Sequence, residues 1–311
     1  MRFVAPRSVG VLASRVRFAL DSRARARITA VICTRDGYDG LEQTIGSLLD
    51  QSLPRERYRI IVVDNSDDPA RARAFAARHR RTSGLRVLRE PRTGLSHARN
   101  RGLAACRTPL IAFTDDDTIP TRDWLERLAA AFDRFGPGAA VVGGRVLPAW
   151  QGPRPGWLTD GLLGYYGIVD WGGAARAAAV GEWLAGANIA FRTGHLRRAG
   201  GFDPRLGRHG DLLLGNEEIA VTDRLRNRRR LVVYEPAAVV QHNIPQSRLA
   251  VSWLRKRVAW QAVSDYLMVP EWALAEAARL DGAGESPGFV TVEDEMRAVY
   301  RQTMRNLAGH A

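Results

Sequence analysis

Three consecutive carboxylates, Asp115-Asp116-Asp117, follow the apolar run at 109–113 and precede Thr118-Ile119-Pro120. Carboxylates this close repel one another, and a divalent cation whose shell is completed by phosphate oxygens is the usual compensation. A solvated acidic turn would use the same residues without a ligand. Two more polar clusters follow apolar runs earlier in the chain, Thr34-Arg35-Asp36 and Asp64-Asn65-Ser66. Other chemistry is excluded. Lys256 is the only lysine and lies in Arg255-Lys256-Arg257 with no glycine loop ahead of it, so there is no Walker A loop. No G-x-G-x-x-G follows a strand, which removes the usual dinucleotide fingerprint. Cys33 and Cys106 are too few for a disulfide framework or a cysteine zinc site, and His79, His97, His195 and His209 show no zinc-type pairing.

The elements that must position these clusters can be read from periodicity. Residues 28–34 read as a buried strand, Leu41, Ile45, Leu48 and Leu49 recur at helical spacing, and 59–63 is the next strand. Residues 70–80 predict a helix, 85–88 a short strand, 96–105 a helix and 110–114 another strand. This alternation predicts an α/β domain with a mostly parallel sheet and helices on both faces. In open sheets of this kind ligands bind beyond the carboxyl ends of the strands, so three polar strand ends on one edge form a site. Residues 149–182, rich in Gly, Pro and aromatics, predict a long loop over that edge. Beyond it a helix starts near Gly215, 231–234 and 238–241 predict two short strands, 247–268 a helix, 281–288 a linker and 292–307 a final amphipathic helix.

Five short segments, each weak alone, occur in a telling order: 61–66 (IVVDNS), 94–102 (GLSHARNRG), 111–120 (IAFTDDDTIP), 186–188 (GAN) and a block beginning at Asn216-Glu217-Glu218, continuing through Arg224-Leu225 to 233–236 (VYEP). Together they resemble the inverting family-2 glycosyltransferases over roughly residues 28–245. The resemblance implies a GT-A, Rossmann-like mixed sheet, mostly parallel, with C-terminal helices. It implies a nucleotide-binding half at 28–120 and an acceptor half at 121–245, preceded by a basic extension at 1–27 and followed by a helical region at 246–311. It further implies that Asp64 accepts from the imide of the donor base and that Thr34, Arg35, Asp36, Asp115 and Asp116 line the donor side. Asn100 would also belong to the donor side, and Arg99 would meet the diphosphate, although an arginine on a helix also serves as a surface ion-pair partner. Asp117 and His242 would bind Mg²⁺ or Mn²⁺, while Trp183, Gly186 and Asn188 would face the acceptor. The family commonly has Glu-Asp where this chain has Glu217-Glu218. Glu218 aligns with the catalytic aspartate and is one methylene longer, so it is the expected general base, with Glu217 as the alternative. Acids at a helix start are also favoured by the macrodipole without any catalysis.

The implied reaction moves a sugar from a nucleoside diphosphate sugar, uracil donors being the family's usual ones, to an acceptor hydroxyl with inversion. A sugar-phosphate nucleotidyltransferase shares the nucleotide half-sheet and acidic metal site, but residues 33–37 lack the glycine-rich loop with a catalytic cation that it needs. The formal charge of +13 on 311 residues, nearly all from arginine, admits diphosphates, nucleic acid or an acidic membrane surface. A GC-rich coding sequence favours arginine too. Neither stacking aromatics along a basic stripe nor a recognition helix is evident, so nucleic acid is not an expected partner. No apolar run approaches the roughly 20 residues of a membrane span. The expected location is cytoplasmic, with peripheral contact at the inner membrane face through the seven arginines of residues 1–27 as the secondary expectation.

Overall fold

The computed structural model describes residues 26–281 and 291–309. Its first half is a regular alternation: β1 (Ile28–Thr34), α1 (Tyr38–Leu49), β2 (Tyr58–Asp64), α2 (Pro69–His79), β3 (Leu85–Arg89), α3 (Leu95–Ala105) and β4 (Leu110–Asp115). β1 is buried along its whole length, as a mostly apolar strand must be when helices cover both faces of a parallel sheet, and its Thr29 hydroxyl is paired with that of Thr108 at 2.6 Å. It pairs in parallel with β2 and β4, and β2 pairs in parallel with β3. The register sets Thr34 opposite Asp64 and Cys33 opposite Asp115, so the three polar strand ends are brought onto one edge.

The second half changes direction. β4 pairs antiparallel with β8 (Ile189–Arg192), which pairs antiparallel with β6 (Ala139–Trp150). β6 runs parallel to β9 (Leu231–Ile244), which is flanked antiparallel by β5 (Thr118–Pro120) and β7 (Arg176–Ala177). The resulting nine-stranded mixed sheet has the order β3-β2-β1-β4-β8-β6-β9-β5, with β7 on β9. Alternate residues feed two cores on opposite faces. Val31, Val63, Phe113, Phe191 and Phe202 pack on one; Ile32, Leu41, Val142 and, from α4 (Trp124–Arg134), Trp124 and Leu128 pack on the other, and a short α5 (Thr193–Arg198) follows β8. A third apolar cluster joins Tyr166 to α7 (Val251–Met268) and α9 (Val292–Ala308), through Leu254, Val258, Met296 and Met304.

Three local expectations change. Residues 231–234 and 238–241 are one strand, not two: the ladder with β6 shifts register between Gly143 and Arg145 as it passes Pro236, a bulge that bends the strand without ending it. The helix expected from 247 begins only at Val251, after a 3₁₀ turn at Gln246–Leu249. The 149–182 stretch is irregular as expected but holds a 3₁₀ segment, Asp160–Tyr166, whose Leu162 and Tyr166 are buried, and it closes against β9 through β7. A further helix, α8 (Pro270–Asp281), follows α7 directly. Most of the 1–27 extension and of the 281–288 linker lies outside the described residues.

Candidate active site

The acidic triplet sits in the turn between β4 and β5, and its backbone is held by hydroxyls. Thr44 Oγ1 donates to the carbonyls of Thr118 (2.6 Å) and Asp116 (3.1 Å), and Thr118 Oγ1 donates to the Asp115 carbonyl (2.7 Å). Gly40 permits this approach, because a Cβ there would lie 2.7 Å from the Asp116 carbonyl oxygen. Each carboxylate has its own partner. Asp115 meets Arg99 Nη2 at 3.2 Å, Asp116 accepts from Thr34 Oγ1 at 2.5 Å, and Asp117 meets both His242 Nε2 and Arg248 Nη1 at 3.3 Å. Their protonation differs accordingly. Burial and the neighbouring Asp117 push Asp116 up to about 7. Burial would raise Asp117 too, but His242 and Arg248 outweigh it and hold the group down to about 2. His242 answers in kind: burial lowers its pKa, and Asp117 more than reverses that.

Opposite the triplet, Glu217 and Glu218 open α6 (Glu217–Asn227). Glu217 is 4% exposed and its Oε1 accepts from Arg99 Nη1 at 2.5 Å. Arg99, 2% exposed on α3, is thus shared between Glu217 and Asp115, with the Phe113 and Phe202 rings 5.9 and 5.5 Å from its guanidinium carbon. Gly186 leaves room for this arrangement, because a Cβ there would overlap Arg99 Nη2 and would force the guanidinium off its two carboxylates. Glu218 is placed differently. Its Oε1 accepts from the Gly186 amide at 3.2 Å, its enclosed Oε2 has no partner, and burial together with Glu217 pushes it up to about 7. Asn216, just ahead, is left-handed (φ 70°), a conformation asparagine tolerates better than most residues. α7 secures it, braced by α9: Asn216 Nδ2 donates to Asp265 Oδ1 (2.7 Å), Gln261 Nε2 donates to Asn216 Oδ1 (2.9 Å), and Tyr300 OH, on α9, donates to Asp265 Oδ2 (2.9 Å).

Between the two acidic groups lies a cavity of about 760 Å³. Of the residues singled out in the sequence, Thr34, Arg35, Arg99, Asp115, Asp116, Asp117, Trp183, Gly186, Glu217, Glu218 and His242 line it. Asp36, Asp64, Asn100 and Asn188 are not among the lining residues. Asp36 is exposed and pairs with Arg71 at 3.7 Å. Asp64 is 1% exposed and accepts from Tyr38 OH (2.8 Å) and the Ser66 amide (3.0 Å), while its neighbour Asn65 reaches the cavity. Asn100 does not meet a ligand position: its amide grips both backbone groups of Phe202 (2.8 and 2.9 Å). Asn188 is also corrected, from acceptor contact to internal brace. Fully buried, it accepts from Trp124 Nε1 (2.8 Å) and donates to the carbonyls of Arg145 (2.7 Å) and Ala238 (2.8 Å). Three lining residues that sequence reasoning missed, Arg248, Gln261 and Asp265, come from segments with no motif, and Asn216, which opens the last motif block, lines the cavity without having been given a role. Asp265 is buried while Arg248 and Gln261 are half-buried, and only the folded chain brings them to the cavity.

The residues present fit a hard divalent cation shared with an anionic ligand. Asp117 is ionised and adjoins an imidazole whose Nδ1 is enclosed without a partner. Among the described residues no group of three or more His, Cys, Asp or Glu side chains could hold a metal, so water or ligand oxygens would have to complete the shell.

Residues 29–160 match the family model described as Glycosyl transferase family 2. Over 261 residues the chain is 30% identical to the succinoglycan biosynthesis protein ExoM of Rhizobium meliloti, covering 80% of this chain and 78% of the relative. Over 245 residues it is 26% identical to the glucosyl-dolichyl phosphate glucuronosyltransferase of Haloferax volcanii, covering 78% and 77% of the two. Among solved structures, the mannosyltransferase PcManGT from Pyrobaculum calidifontis, in complex with GDP-Man and Mn²⁺, superposes with a TM-score of 0.56 at 19% identity, over 97% of this chain and 83% of that one. The mixed sheet and its covering helices are those of the GT-A fold.

Proposed function

Since the chain belongs to glycosyl transferase family 2 and is a glycosyltransferase, we propose that it transfers a sugar from a nucleoside diphosphate sugar to an acceptor hydroxyl in one inverting displacement, with Glu218 as general base. The observation that carries this is the division of labour between two adjacent glutamates. Glu217 is tied to Arg99, whereas Glu218 lines the cavity with one carboxylate oxygen enclosed and unpartnered, and burial beside Glu217 pushes it up to about 7. A base poised near the working pH is the most effective kind. Glu218 takes the acceptor proton as the hydroxyl attacks the anomeric carbon, and the nucleoside diphosphate leaves towards Asp117, His242 and Arg248. A divalent cation at Asp117 and His242 would neutralise the charge that develops on the leaving diphosphate. Arg248 adds a fixed positive charge on the same side, 3.3 Å from Asp117. Asn65 lines the same cavity, and the proposal puts the donor base beside it, with Asp64 buried just behind and hydrogen-bonded to Tyr38 OH. Uracil is the family's usual base, and the GDP-Man bound to the Pyrobaculum enzyme makes guanine the other arm of any test. No helix among the described residues is long and apolar enough to cross a membrane. The Haloferax relative, whose name carries a dolichyl phosphate acceptor, keeps a lipid-linked acceptor reached by peripheral contact within the proposal.

Calorimetry with UDP and GDP tests the donor side without any knowledge of the sugar. One of the two should bind at least about tenfold more tightly with Mn²⁺ than with EDTA, since the ion would be shared by the diphosphate and Asp117. Asp117→Ala should abolish that difference. Equal affinity in Mn²⁺ and EDTA for the native protein would remove the metal from the mechanism.

A further inference from the structure

Arg257 is a buried cation without a counter-ion. It lies on α7, 9% exposed, and lines the cavity. Its Nη2 donates to Gln261 Oε1, one turn further along the same helix, at 2.7 Å, but Nε and Nη1 are enclosed and have no partner. Among the described residues no carboxylate stands within ion-pair distance of it. Burial and the nearby Arg208 pull its pKa down to about 10. Arg208 lines the same wall and is itself committed only to neutral groups, the carbonyls of Leu213 and Leu214. Leaving an enclosed guanidinium unpaired is costly, and such sites are completed by an oxyanion that accepts the free N–H groups.

The position of Arg257 says which substrate would bring that oxyanion. Arg248, not Arg257, stands at Asp117, so the leaving diphosphate already has its arginine. Arg257 adjoins the start of α6, where a Cβ on Gly215 would be 3.5 Å from its Nη2, and Glu218 is one of the charges acting on it. The cavity is therefore lined both by a glutamate with an unpartnered, enclosed carboxylate oxygen and by an arginine with unpartnered, enclosed N–H groups, the two beyond ion-pair distance but within reach of each other's charge. Tyr165, Trp253 and Trp272 line it too, surfaces on which a sugar ring can stack. A neutral hydroxyl compound would satisfy Glu218 and leave Arg257 bare. We propose that Arg257, supported by Arg208, binds an anionic group, phosphate or carboxylate, carried by the acceptor close to the hydroxyl that Glu218 deprotonates. The word acceptor rests on the transfer reading above; the anion site itself does not.

The test is calorimetric titration of the full chain with phenyl phosphate, benzoate and neutral phenyl β-glucoside, alone and with saturating UDP or GDP and Mn²⁺. At least one charged probe should bind with nucleotide present and weaken at least about tenfold in Arg257→Gln, as for loss of a charge-assisted pair. Arg257→Lys should recover part of that loss, and the neutral probe should not respond to either change. The better of the two charged probes identifies phosphate or carboxylate as the source. Melting temperatures confirm that the variants are folded, and Arg208→Gln, expected to weaken the same probe, serves if Arg257→Gln is not. Charged probes that fail to bind, bind equally well to Arg257→Gln, or are displaced by nucleotide would overturn the proposal. So would lost turnover in that variant with unchanged probe affinity, which would make Arg257 a residue that tunes Glu218. If neither nucleotide binds the native protein, the transfer reading fails, while the probe titrations without nucleotide still decide the anion site.

Discussion

Glu218→Gln should lower sugar transfer by about 10²–10⁴-fold, the usual contribution of a positioned base, while nucleotide affinity stays within a factor of about two. The substitution keeps the side chain's size and its bond from the Gly186 amide but removes the basic oxygen. Native turnover should rise with pH through about 7 and level off above it, because the carboxyl must be ionised to accept the proton and burial beside Glu217 holds it protonated below that point. The same shift has a stability consequence of opposite sign. A carboxyl whose folded pKa is raised makes the native state bind more protons than the unfolded chain between its ordinary value of 4.5 and about 7, so stability falls as pH rises through that window. Glu218→Gln should therefore melt higher than the native protein at pH 8, and the gain should vanish below about pH 4.5. Glu217→Gln is the contrasting variant: weakening the bond to Arg99 should lower stability more than turnover. A larger turnover loss at Glu217 would exchange the two roles.

Arg99→Met should destabilise the fold by about 3–5 kcal/mol in urea unfolding, the cost of leaving buried charge uncompensated. Arg99 is 2% exposed and sits between Glu217, 5% exposed at its side chain, and Asp115, 33% exposed. Without the guanidinium the two carboxylates face each other across an apolar wall formed by Phe113 and Phe202. The double variant Arg99→Met with Glu217→Gln should regain much of the loss, since it removes the more deeply buried orphan. A single variant within about 1 kcal/mol of the native protein would mean that Arg99 is held for a ligand and not for its carboxylate partners.

These roles are only partly legible in the chain. The strand ends are, because an apolar run that stops at Thr34, Asp64 or Asp115 marks both a buried strand and the edge where its polar residues emerge. The family assignment follows from motif order, and with it the nucleotidyltransferase and nucleic-acid readings lose their ground. The motifs do not say which way a polar side chain turns. Asn188 and Asn100 have the composition of ligand contacts, yet both serve backbone groups that would otherwise be buried unpaired. Arg99 carries the charge expected of a diphosphate contact, but two carboxylates from distant segments meet it first. α7 supplies Arg257, Gln261 and Asp265 at helical spacing to a cavity whose motifs all lie before residue 245, and no local signal in the chain announces that contact. Pro236 reads as a strand end because proline removes a ladder donor; a bulge absorbs it.

The central claim is a single displacement driven by Glu218, and the anomeric configuration of the transferred sugar tests it most directly. Proton NMR of the product formed in the first turnovers, before any spontaneous mutarotation of released sugar can intrude, reads that configuration from the anomeric coupling. The account predicts inversion relative to the donor. Retention would contradict it, because a retained centre requires either a covalent glycosyl intermediate or attack from the leaving-group face, and Glu218 as a base for the acceptor hydroxyl provides neither.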